Sequence, residues 1–130
     1  MRSVLRDWAR SSTVHVLFAF LSMGGWAVFA NSAHPMPQPL VSGVLQGALS
    51  AGLTLFLKSV IDGLSKRFSG PERFWAPPLI ACLGSASLLV SLHALGGTPE
   101  ILKTVAVPLL VSTTYAWSYA YSISRKRGEQ

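Results

Sequence analysis

Five polar side chains recur at every fourth position of one apolar stretch: Gln46, Ser50, Thr54, Lys58 and Asp62, within LVSGVLQGALSAGLTLFLKSVIDGL from Leu40 to Leu64. In a helix each stands nearly above the last, so the five form one slanted polar stripe. Polar groups facing lipid are disfavoured, and the stripe therefore predicts either a substrate-facing cleft or hydrogen bonding between helices. Lys58 and Asp62, four apart, can pair within the helix, or Lys58 can extend along the helix to lipid head groups. Beside the stripe lie Gly43, Gly47 and Ala51, small residues that allow another helix to approach closely.

A second group of polar residues gathers where apolar stretches end: Asn31, His34, His93 and Glu100, with Gln46 at similar depth. His34 and His93 with a carboxylate are the donors that Zn²⁺ or another transition metal would use, and two facing imidazoles could hold a haem iron. The spacing contains no HxxxH or HExxH pattern, so the preferred reading is hydrogen bonding at helix ends, with no cofactor predicted. Cys82 is the sole cysteine and lies in an apolar stretch, which predicts a packed thiol. No serine stands in a nucleophile-elbow pattern and Cys82 has no histidine partner specified by sequence, so the pattern favours a protein without a catalytic residue.

These groups must be positioned by helices. The chain has 130 residues, 50% hydrophobic and only 12% charged, with a mean hydropathy of +0.43. That is too apolar for an ordinary soluble domain of this size. The apolar residues fall into four blocks near the roughly 20 residues needed to cross a bilayer, predicting an all-α polytopic membrane protein, a single domain over 1–130. Its expected spans are about 13–31, 40–64, 77–95 and 101–123. Prolines 35, 37 and 39 mark the first connection, Ser69-Gly70-Pro71 the second and Gly96-Gly97-Thr98-Pro99 the third. Pro77 and Pro78 suit the first turn of the third helix, where their missing donors cost little. Pro108 should kink the fourth, whose basic sequel SRKRGEQ reads as a frayed tail. Before the first block, Arg2, Arg6, Asp7, Trp8 and Arg10 suggest a short interfacial lead-in, and the block itself reads as a retained helix rather than a cleaved leader.

Charge orients the bundle. Arg2, Arg6, Arg10, Lys58, Lys66, Arg67, Arg73, Arg125, Lys126 and Arg127 fall on one side, and Lys103 alone on the other. The positive-inside rule then predicts both termini in the cytoplasm, in a bacterial-type inner membrane, and it accounts for the net charge of +6 without nucleic acid. A shift of 59 residues aligns His34 with His93, Thr54 with Thr113 and Ser59 with Ser118, a hint of two parallel hairpins. Size and span number are similar to those of small multidrug exporters and four-span flippase accessories. The expectation drawn is transport or handling of a lipid, lipid-linked or amphipathic substrate along the polar stripe, in a homo-oligomer or with a membrane-protein partner. The alternative is a noncatalytic structural or regulatory subunit. Replacing Gln46 would separate the two if it spared assembly and reduced function.

Overall fold

The computed structural model describes residues 2–4, 6 and 11–129. The lead-in residues Asp7, Trp8 and Arg10 lie outside the described residues. From residue 12 onward, four helices follow one another among the described residues: α1 (Ser12–Ala30), α2 (Gln38–Ser65), α3 (Glu72–Leu95) and α4 (Ile101–Glu129). Short connections make each helix antiparallel to the next. The α1/α2 and α3/α4 connections share one end of the bundle, where Ser42 bonds to Thr98 and His34 to Glu100. The α2/α3 connection and the end of α4 share the other, where Ser124 bonds to Arg73 and Arg127 to Ser65. α2 and α4 touch across the bundle, while α1 packs on α2 and α4.

Among the described residues three helices are both long and apolar enough to cross a membrane: α1, α2 and α3. The fourth expected span, α4, falls short of them in apolar content. α4 has the length, at 29 residues, but Lys103 and the run Ser112-Thr113-Thr114 followed by Tyr115 dilute its apolar residues. Large apolar side chains point outward, among them Phe18 at 73% exposed and Leu21 at 70%, with Phe56, Leu83 and Leu110. A water-soluble protein rarely leaves so much contiguous apolar surface uncovered, and lipid would cover it. The architecture is an all-α, multi-spanning membrane-type fold.

Packing within it divides by level. Toward the end with the termini, Leu57, Ile61, Ala81, Ala116 and Ala120 form an apolar core, against which Cys82, Tyr119 and Ile123 pack. Toward the other end a set of polar groups, Asn31, Ser42, Gln46, His93, Thr98 and Thr104, is buried beside Ala27, Ala30, Leu89 and Val105. Association of helices in lipid draws on close contact and hydrogen bonds rather than on release of water, and both appear here. The backbones of α1 and α2 approach closely. A Cβ at Gly24 would stand 2.9 Å from the Gly43 carbonyl oxygen, and one at Gly47 would stand 3.0 Å from the Phe20 carbonyl oxygen. The small residues of α2 thus face α1 within the same chain, with Ala51 half-buried one turn on.

Two helix ends differ from expectation for a common reason. α3 starts at Glu72, after the turn made by Gly70 (φ +65°) and Pro71, so Pro77 and Pro78 fall inside the helix rather than in its first turn. Pro77 has no amide hydrogen to give the Arg73 carbonyl four residues back. The Ser124 hydroxyl of α4 donates to that carbonyl at 2.9 Å instead. Arg127 Nη1 likewise donates to the Ser65 carbonyl at 2.6 Å, at the open end of α2. α4 therefore continues through the basic residues expected to fray, because its last turns satisfy carbonyls on two neighbours.

Candidate functional site

His93 is fully buried in the last turn of α3. Its surroundings follow from the sequence HALGGTP. Gly97 takes a left-handed conformation (φ +74°), its N–H bonding to the Ala94 carbonyl and that of Thr98 to the His93 carbonyl at 3.0 Å. This Schellman ending folds the chain back over its own last turn. The Thr98 hydroxyl is thereby carried to 2.7 Å from His93 Nδ1. On the other edge of the ring, Gln46 Oε1 lies 2.7 Å from Nε2. That oxygen only accepts, so Nε2 carries the hydrogen and Nδ1 accepts from Thr98. Ser42 donates to Thr98 at 3.2 Å, and Gln46 Nε2 donates to Ser50 at 2.8 Å. Donation runs in one direction through five residues, Ser42, Thr98, His93, Gln46 and Ser50, joining α2 to α3 and the α3/α4 connection.

A neighbouring clasp joins α1 to α4. Asn31 Oδ1 accepts from the Glu100 amide at 3.0 Å, and Nδ2 donates to the Ala27 carbonyl and the Thr104 hydroxyl, both at 2.8 Å. Asn31 thus serves one of the orphan amides at the start of α4. Trp26 Nε1 donates to the Lys103 carbonyl at 3.0 Å, and His34 Nε2 lies 3.0 Å from Glu100 Oε1 on the outside. His34 and His93 therefore engage different partners, and both nitrogens of His93 are committed to Gln46 and Thr98. Among the described residues no group of three histidine, cysteine, aspartate or glutamate side chains is placed to hold a metal ion.

The polar stripe does not face one way. Gln46 and Ser50 are buried, whereas the inward positions lower on α2 are Leu57, Ile61 and Ser65. A four-residue step overshoots a 3.6-residue turn by about 40°, so four such steps turn the stripe by roughly 160°. Thr54 and Lys58 are carried onto the side of α2 between α1 and α4. There a cleft of about 620 Å³ opens, lined by Ser50, Thr54 and Lys58 of α2. His15, Phe18 and Met23 of α1 and Val111, Ser112 and Tyr115 of α4 form its other walls. Asp62 stands just beyond it, with Oδ2 3.6 Å from Lys58 Nζ and Oδ1 accepting from Tyr119 at 2.5 Å. Tyr119 stacks on Tyr115, their rings 5.7 Å apart and nearly parallel.

Of the residues picked out by spacing, then, Ser50, Thr54 and Lys58 meet at the cleft and Asp62 borders it. Gln46 and His93 meet each other one level away, and His34 lies at the far end. The α1 and α4 walls carry no periodic signal of their own in the sequence. Comparison with protein families, curated proteins and solved structures finds no match.

Proposed function

We propose that this chain crosses a bacterial-type cytoplasmic membrane four times, with both termini inside, and handles a lipid, lipid-linked or amphipathic substrate along the α1/α2/α4 cleft. The observation that carries the reading is the make-up of that cleft. Its walls combine a lysine, a histidine and several hydroxyls with Phe18, Met23, Leu53 and Val111, the pairing needed for a molecule with a polar head and an apolar tail. α4 completes the bundle as the fourth span. Its 29 residues make a helix of about 43 Å, enough to cross, and its polar Thr104 faces inward rather than toward lipid. The ten-to-one distribution of basic residues supports that orientation.

A second reading, a noncatalytic subunit or a homo-oligomer, draws support from a groove of about 530 Å³ between α2 and α3. Gly52 and Gly84 line it with open space where a Cβ would be, as a helix from another copy or partner would need.

Movement of fluorescent lipids between the leaflets of proteoliposomes tests the first reading. Ala19→Trp places an indole in the cleft and should abolish movement in a folded protein, while Leu110→Trp, on an exposed face, should leave it intact. An unchanged rate in folded Ala19→Trp, or no movement and no retained lipid with the wild-type protein, overturns the reading.

A further inference from the structure

The cleft has a lopsided charge. Lys58 and His15 line it, and among the described residues no aspartate or glutamate does. Its ends also differ. His15, Lys58 and Tyr115 lie toward the end of the bundle that holds the termini, whereas Met23, Ser50 and Pro108 lie deeper. From Lys58 to Ser50 is eight residues of helix, about 12 Å. A charged head at the first level leaves an apolar tail to run past Phe18, Leu53 and Val111 toward the second.

The state of Lys58 decides what head the cleft accepts. Its side chain is 62% exposed and that of Asp62 is 36% exposed, so their contact at 3.6 Å is a surface ion pair of the kind that holds weakly. Nζ also lies 5.6 Å from the centre of the Tyr119 ring. The ammonium has three donors, and the pair with Asp62 leaves donors to spare. Asp62 would not be stranded by losing the lysine, because its other oxygen is held by the Tyr119 hydroxyl.

We infer that Lys58 is the group that recognises the head of the bound amphiphile and that Asp62 is its displaceable counter-ion, so that the cleft selects a tail-bearing phosphate or carboxylate over zwitterionic and cationic heads. The inference rests on the cleft reading above and adds to it the class of substrate. An incoming anion exchanges one ion pair for another in a site that lipid partly shields, where the stronger, better-desolvated pair prevails. A cationic amphiphile finds no acceptor of opposite charge among the described wall residues and meets Lys58 directly. Asp62 thus sets affinity without touching the ligand, by competing for the same ammonium.

Native mass spectrometry of the full chain in neutral detergent reads this out, with dioleoylphosphatidylglycerol, dioleoylphosphatidylcholine, a dioleoyl trimethylammonium lipid and inorganic phosphate as probes. Wild-type protein should prefer the phosphatidylglycerol by about tenfold, the scale of one charge-assisted contact. Lys58→Gln should erase that preference and Lys58→Arg should keep it. Asp62→Asn, which retains an acceptor for Tyr119, should tighten the phosphatidylglycerol severalfold. A preference unchanged in Lys58→Gln, or one that Asp62→Asn weakens in a folded protein, overturns the inference. Inorganic phosphate binding as tightly as the lipid makes this an ion site and overturns the substrate class. Equal binding of all three lipids that Ala19→Trp blocks removes the charge selectivity and leaves the cleft reading standing. Lipid binding indifferent to Ala19→Trp removes both.

Discussion

Replacing Gln46 with leucine tests whether the buried polar chain holds the bundle together. The amide is fully enclosed, accepting from His93 and donating to Ser50, so leucine removes two hydrogen bonds and strands the His93 Nε2 hydrogen. In a water-soluble protein a stranded buried donor costs about 1–3 kcal/mol. Helix-to-helix hydrogen bonds in membranes are worth less, about 0.6 kcal/mol on average and up to about 1.7, because the dissociated helices also find partners in lipid. Two such bonds, of which the one to Ser50 stays within α2, set the expected loss at about 1–2 kcal/mol. Leucine gains nothing in return from burial, since lipid is as apolar as the core. Reversible unfolding in mixed micelles would measure the loss, together with His93→Phe and the double variant. The double variant should fall short of the sum of the singles by roughly 0.6–1.7 kcal/mol, the coupling expected of one direct bond. Additive losses, or a Gln46→Leu protein as stable as the wild type, would refute the reasoning. The same calculation revises the simplest use of this residue as a probe: a functional defect at Gln46 has to be separated from lost stability before it says anything about a substrate.

Other substitutions test other contacts. Gly24→Ala should cost about 1–3 kcal/mol, since its Cβ meets the rigid carbonyl of Gly43, whereas Gly52→Ala, with open space around it, should be neutral or stabilising by about 0.5–1 kcal/mol through helix propensity. Unfolding in the same micelles compares them, and equal effects would remove the α1/α2 close approach as the cause. Asn31→Ala should destabilise by about 1–3 kcal/mol and raise amide hydrogen exchange at the start of α4, where the Glu100 amide loses its acceptor. Unaltered exchange there would count against the clasp. In a Cys82→Ala background, cysteines at Met36 and Ser69 should be labelled from opposite sides of the membrane, because the two connections lie at opposite ends of α2. Labelling of both from one side would sink the topology.

Much of the fold was legible because lipid demands long apolar runs and the chain punctuates them with proline and glycine. Helix starts and ends were less so. Proline inside α3 has a local cost that the sequence shows, but Ser124, which bonds to the freed Arg73 carbonyl, lies 51 residues beyond Arg73 where no local pattern points. The stripe on α2 was legible as a pattern but not as a surface, since a strict four-residue repeat winds around the helix and serves two neighbours in turn. Gln46 and His93 each stood out by being polar in an apolar run. Their pairing depends on the relative height of α2 and α3, and that height is fixed by contacts between helices. The Thr98 bond could have been anticipated, because Gly-Gly-Thr-Pro after a helical run is the signature of an ending that turns back on itself.

The missing hydrogen bond at Pro77 has a further consequence. In a regular helix every carbonyl of the backbone is occupied and all levels look alike to a neighbour, so an adjacent helix sliding by one turn finds the same surface again. The proline makes one level distinguishable. There, at Arg73 and at Phe74, four residues before Pro77 and Pro78, α3 has carbonyls without a helical amide donor, and one height of α4 brings Ser124 to the first of them. A local defect thus works as an address, specifying which of several near-equivalent dockings is the native one in a solvent that offers little else to tell them apart.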